Sequence, residues 1–145
     1  MTYTGIDLHK SFCYFASTDE HGTVIKESKI KNNRDDILRY FSDLSCPNKA
    51  VVECTIGWYW LTDLLREHGI EIVLANTRMM KAIAAAKVKT DKVDATVLAQ
   101  LLRMDYIPTA YQLDPEHRAH RDVIRFRLRL MQKRVSYIKD RKSVV

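Results

Sequence analysis

Strand-like and helix-like segments follow one another in this chain in an order that few folds accommodate. Residues 3–8 (Tyr-Thr-Gly-Ile-Asp-Leu) and 12–17 (Phe-Cys-Tyr-Phe-Ala-Ser) are rich in β-branched and aromatic side chains and read as strands. Asp19-Glu20-His21-Gly22 is a turn, with Gly22 available for positive φ, and residues 23–30 supply a third strand. Three successive short strands fold most simply as an antiparallel meander. Asn32-Asn33-Arg34-Asp35-Asp36 then offers a capping Asn and acids suited to a helix N-terminus, and Ile37, Leu38, Phe41 and Leu44 recur at helical spacing. After the break at Cys46-Pro47-Asn48, Ala50-Val51-Val52-Glu53 reads as a buried strand. Trp58, Leu61, Leu64 and Leu65 mark a second helix closed by His68-Gly69, and residues 70–74 a further strand. Asn76-Thr77 can cap a helix through Ala86, Thr90 another over Asp91–Arg103, and Asp114-Pro115 opens a long last helix to about residue 142. The order β-β-β-α-β-α-β-α-α predicts a mixed α/β sheet: a meander, then parallel strands joined through helices.

Where the acids fall narrows that class. Asp7 lies inside an apolar strand, and Glu53 ends another. A carboxylate in such a place carries a desolvation cost unless it is paired or bound to metal. Asp91 and Asp94, three residues apart, share a face if they occupy the first turn of a helix. Four carboxylates on two strands and a helix start can hold two Mg²⁺ ions, with open positions for water and phosphate oxygens. Two such ions about 4 Å apart stabilise both the attacking and the leaving oxygen of a phosphodiester displacement. Taken singly, each acid also has an ordinary explanation, as a hydrogen-bonded strand Asp or a favourable charge at a helix start. The sheet order and the acid positions together describe an RNase H-like domain with flanking helices and a long basic C-terminal helix.

Charge points to the partner. The chain of 145 residues carries a net +6, yet residues 116–145 alone hold ten Lys/Arg against three Asp/Glu. A near-neutral body with a basic arm suits a polyanion, nucleic acid above all, although a solvated helix face has the same composition. Lys10 follows the first strand, and Lys87, Lys89 and Lys92 bracket the Asp pair, all placed for backbone phosphate. Trp58 and Trp60 with Tyr59 could stack on a base, but Trp58 and Leu61 at helical spacing favour the core. His117 and His120 lack further ligands at zinc spacing, and four glycines leave little room for a phosphate loop. Cys13, Cys46 and Cys54 fit neither a zinc site nor a disulfide framework and are expected as reduced, mostly packed thiols. No apolar run spans a membrane, and Asp7, His9 and Lys10 interrupt any secretory signal, so a cytoplasmic protein is expected.

Gly5-Ile6-Asp7-Leu8-His9-Lys10, Val52-Glu53-Cys54-Thr55-Ile56-Gly57, and Lys89-Thr90-Asp91-Lys92-Val93-Asp94-Ala95 with Leu98-Ala99-Gln100-Leu101-Leu102-Arg103 resemble the DEDD transposases of insertion sequences, the family that includes the Piv and MooV DNA invertases. The resemblance covers nearly all of residues 3–142. It implies that Asp7, Glu53, Asp91 and Asp94 are the catalytic, Mg²⁺-binding acids of a RuvC-like domain over residues 1–112, with Mn²⁺ a plausible substitute. It implies DNA recombination guided by a structured RNA. It also implies that residues 113–145, with Arg118, Arg121, Arg125 and Arg129, begin a helical, coiled-coil region that contacts nucleic acid and assembles a homo-oligomer, a dimer or tetramer. Full members continue into a domain with a nucleophilic serine; no residue here matches it, so a fragment holding half of an active centre is expected. The competing readings are a stand-alone junction resolvase of the same fold and an inactive nucleic-acid-binding and oligomerisation module. A sugar-kinase or actin-like half-domain shares the opening strand but lacks the glycine-rich phosphate signals.

Overall fold

A computed structural model describes residues 1–44, 47–55, 57–83 and 90–142. Its backbone divides into two units, Met1–Ala110 and Tyr111–Val145. The first unit holds β1 (Thr2–Leu8), β2 (Phe12–Thr18), β3 (Val24–Lys31), α1 (Arg34–Ser42), β4 (Asn48–Glu53), α2 (Tyr59–Glu67), β5 (Glu71–Ala75), α3 (Thr77–Ile83) and α4 (Asp91–Arg103). The strands form one sheet in the order β3-β2-β1-β4-β5. β1–β2 and β2–β3 pair antiparallel, as the meander requires, while β1–β4 and β4–β5 pair parallel. The fold is the mixed α/β, RNase H-like one that the element order and the acid positions predict.

Side-chain alternation sends the strands' apolar residues to two cores. On one face Ile6, Phe15 and Val52 meet Ile37, Tyr40 and Phe41 of α1 and Leu61, Leu64 and Leu65 of α2. Trp58 belongs to this core at 4% exposure, so its indole packs rather than stacks on a ligand. A buried polar chain crosses the same face: Thr4 Oγ1 and Ser17 Oγ lie 2.7 Å apart, as do Ser17 Oγ and Tyr40 Oη, and the tyrosine donates to Lys26 O. Each hydroxyl is satisfied, as burial demands. On the other face Val51 and Ala75 meet Met80 of α3 and Leu98 and Leu102 of α4.

α4 lies directly on β1. A Cβ on Gly5 would stand 1.9 Å from Ala95 O and 2.6 Å from Ala99 N, so glycine is what permits the approach. The turn before β3 grips the far end of the helix. Asp19 Oδ1 accepts from the backbone N–H of His21 and of Thr23, Gly22 adopts φ +88°, and Gln100 Nε2 donates to Gly22 O at 2.6 Å.

The second unit is dominated by α5 (Pro115–Lys142), whose first turn is capped by Asp114 accepting from His117 N. Ile124, Leu128, Met131, Val135 and Ile138 recur along α5 at alternating spacings of four and three, and all are 45–60% exposed. That is the a/d spacing of a coiled-coil seam. No helix among the described residues is long and apolar enough to cross a membrane.

The cysteines divide. Cys13 is buried and donates to Asn32 Oδ1, and burial together with the nearby Asp7 charge pushes its thiol up to about 12. Cys54 is exposed, because it follows the last residue of β4 into a loop; Cys46 lies outside the described residues. A raised value means less thiolate, about one part in ten thousand for Cys13 at pH 8. Cys54 is therefore expected to be alkylated in the native protein and Cys13 only after unfolding, read by peptide mapping. Equal rates at the two sites would show that β2 is not packed as described.

Candidate metal and nucleic-acid site

The register of β1 on β4 pairs Gly5 with Val51 and Ile6 with Val52, so Asp7 and Glu53 are the next residues on two adjacent parallel strands. Gly5 faces α4, and Val51 packs with Leu98 and Leu102 of α4. Alternation then sends Asp7 and Glu53, each two residues further on, to that same face beyond the last paired rung. α4 runs antiparallel to β1, which brings its N-terminal turn over Asp7. Thr90 caps that turn, accepting from Val93 N at 3.2 Å, and puts Asp91 and Asp94 in the first turn as their spacing predicts. Lys92 Nζ reaches Glu27 on β3 at 2.6 Å and ties down the same end.

The carboxylates meet at an imidazole. His9 Nε2 lies 2.9 Å from Asp7 Oδ2 and 3.4 Å from Asp91 Oδ1. The ring stacks on Phe12, centroids 4.4 Å apart, and the loop carrying it is held by Asn32 Nδ2 donating to His9 O and Lys10 O. Burial raises the Asp7 carboxyl above the usual carboxylate range; His9 opposes this, while the charges of Asp91 and Asp94 add to it. One ligand atom from each of Asp7, His9 and Asp91 fall within 4.8 Å of one another. Two hard carboxylates with an imidazole, half-buried and mutually repelling, suit a divalent cation with room for water and phosphate oxygens.

The structure thus brings Asp7 and Asp91 together, places Asp94 near enough to repel Asp7, and sets Glu53 on the neighbouring strand outside the tight set. Reasoning from acids alone passed over His9. Its signal was its position, two residues after Asp7 in the loop that leaves β1.

The basic residues fare unequally. Lys10 is exposed, with no ion-pair partner among the described residues, whereas Lys92 is engaged by Glu27. Lys87 and Lys89 lie outside the described residues. On α5, Arg118 Nε donates to Leu113 O at 2.6 Å, Arg121 pairs with Asp122, and Arg125 and Arg129 are exposed. His117 Nδ1 sits on Asp114 Oδ2 at 2.7 Å, a helix-start contact.

Known proteins resemble the chain over most of its length. The model of a transposase family, the IS110-type DEDD transposases, matches residues 4–145. The chain belongs to this family. It is 30% identical over 105 residues to the transposase for insertion sequence element IS1533 of Leptospira borgpetersenii, an overlap of 70% of this chain and 30% of that relative. This DEDD transposase chain therefore spans less than a third of the length of the curated relative it matches.

Proposed function

We propose that residues 1–112 form the divalent-metal-dependent catalytic domain of an insertion-sequence recombinase, cutting and exchanging DNA strands within a multimer. The observation that carries this reading is the meeting of Asp7 and Asp91 around His9 Nε2 at the ends of β1 and α4. Asp7, Glu53, Asp91 and Asp94 are assigned as the metal-holding and catalytic acids. Bound Mg²⁺, or Mn²⁺ in its place, would supply Lewis-acid stabilisation of the phosphodiester oxygens and activation of the attacking group. The protein's own part is to hold the carboxylates converging, with His9 fixing Asp7 against Asp91. Lys10, Lys87, Lys89 and Lys92 would flank the phosphate path. Residues 113–145 serve as a basic connecting helix whose Arg118, Arg121, Arg125 and Arg129 add to contacts with DNA and with a structured guide RNA. The exposed heptad stripe of α5 supports pairing with a second copy, in a dimer or tetramer. Family membership supports action in the cytoplasm, since a transposase acts on DNA.

Calorimetry tests the site. Replacing Asp7 and Glu53 together by alanine is expected to abolish measurable Mg²⁺ binding; unchanged affinity would overturn the assignment. The basic arm makes a separate prediction. Affinity for branched DNA is expected to fall steeply with salt. Removal of residues 116–145 should flatten the slope of log affinity against log salt, by about one for each phosphate that the arm neutralises. An unchanged slope would place the nucleic-acid surface elsewhere.

A further inference from the structure

A cleft of about 580 Å³ opens at the ends of β1 and β4, lined mainly by apolar surface. Leu8 and Trp60 form part of its wall; Lys10 and Thr55 stand at its exposed side. Gly57 adopts φ +84°, and a Cβ there would meet nothing within 4 Å, so this lining residue leaves open space. Asn32 also lines the cleft, but its amide is consumed by His9 O, Lys10 O and the Cys13 thiol. The Lys10 ammonium lines the cleft and has no ion-pair partner among the described residues. His9 is the shared wall: it lines the cleft, and its Nε2 touches Asp7 and Asp91. A second depression, beside β3 and α1, differs in kind, since Lys26 and Arg39 in it are already paired with Asp43 and Asp36.

We propose that this cleft receives one unpaired nucleobase of the DNA strand being cut, against Trp60, with an adjoining phosphate on Lys10. The inference rests on the nuclease reading of the carboxylates. A strand with a phosphate at Asp7 and Asp91 carries its neighbouring nucleotide past His9 to the mouth of the cleft. A base stacked inside a duplex cannot enter a concave site, so the occupant is an unpaired or extruded one. An aromatic wall with a single cation recognises any base by its face rather than by its edge. The size is that of a small-ligand site, about 300–1,000 Å³. The site would hold the strand in register with the acids and favour branch points, where unpaired nucleotides occur.

The test uses the full chain and a labelled forked DNA with one unpaired nucleotide, bound in Ca²⁺ to hold back cleavage. Removing that base, to leave an abasic position, is expected to weaken binding roughly 5- to 100-fold. Trp60→Leu should cost the same on the intact fork and nothing further on the abasic one, while Trp60→Phe retains most of the affinity. A folded Trp60→Leu protein that still distinguishes the two forks as the wild type does would overturn the proposal. Should Trp60→Leu fail to fold, 2-aminopurine at the unpaired position decides with wild-type protein: quenching on binding supports stacking in the cleft, and unchanged emission refutes it. Base-dependent binding by a chain that shows no Mg²⁺ affinity in calorimetry would leave the cleft standing and take down the metal-site reading instead.

Discussion

Gly5→Ala is expected to destabilise the protein by about 3 kcal/mol and to lift the acidic end of α4 away from β1. The added methyl would stand 1.9 Å from Ala95 O, 2.6 Å from Ala99 N and 2.9 Å from Leu98 Cβ. Two of those atoms are helix backbone, which cannot turn aside as a side chain can; the helix must move as a body. Overpacking of a tight core costs about 1–3 kcal/mol and sometimes more, and rigid neighbours put this site at the upper end. Each kcal/mol lowers the melting temperature of a domain this size by roughly 4 °C. Because Asp91 travels with the helix, Mg²⁺ affinity should fall in the same variant. Gly5 does not have positive φ, so contact with α4 is the sole source of strain. Without that contact, alanine in place of glycine would be neutral or mildly stabilising. A melting temperature at or above the wild-type value would therefore refute the packing of α4 on β1.

Asp7→Asn is expected to do opposite things to binding and to stability. Metal affinity and metal-dependent cleavage should both be lost, the latter by about a hundredfold to ten-thousandfold if the ion supplies several kcal/mol of transition-state stabilisation. In chelator, the same variant should melt higher than the wild type. Burial raises the Asp7 carboxyl, and Asp91 and Asp94 add to the effect, so the folded chain holds this proton more tightly than the unfolded one does. A group raised in this way contributes its stability below the unfolded value, about 4, and loses it as pH rises through the folded value. The advantage of Asn should accordingly be absent in acid and complete at neutral pH. Differential scanning calorimetry across pH checks the sign; a metal-free Asn variant that melts below the wild type at neutral pH would show that Asp7 is structural. Such a cost, kept in the free protein, is the usual mark of a residue retained for what it binds.

Most of the architecture was readable because local chemistry and global fold agree. The meander, the Asx turn at Asp19, and the Asn33 and Thr90 caps are fixed by residues within a few positions of where they act. Trp58 at helical spacing with Leu61 gave the core assignment that its burial bears out. Of the mostly packed thiols expected, Cys13 is buried and Cys54 is exposed, since its strand ends one residue earlier. The coiled-coil region that the family resemblance implies for residues 113–145 has a local trace in the regular spacing of apolar residues along α5.

Which elements form, and in what order, is set by the residues along the chain, and Asp7 and Glu53 stand out there as carboxylates in apolar strands. Capping, turns and alternation act over a few residues, so they leave a local trace. Which groups meet is a matter of packing. That Gly5 admits α4 onto β1, that Asp91 arrives at Asp7, and that His9 stands between them all depend on contacts across long stretches of chain, where no local preference sets the distance. Sheet register did the same for Glu53, placing it beside Asp7 through the pairing of Ile6 with Val52.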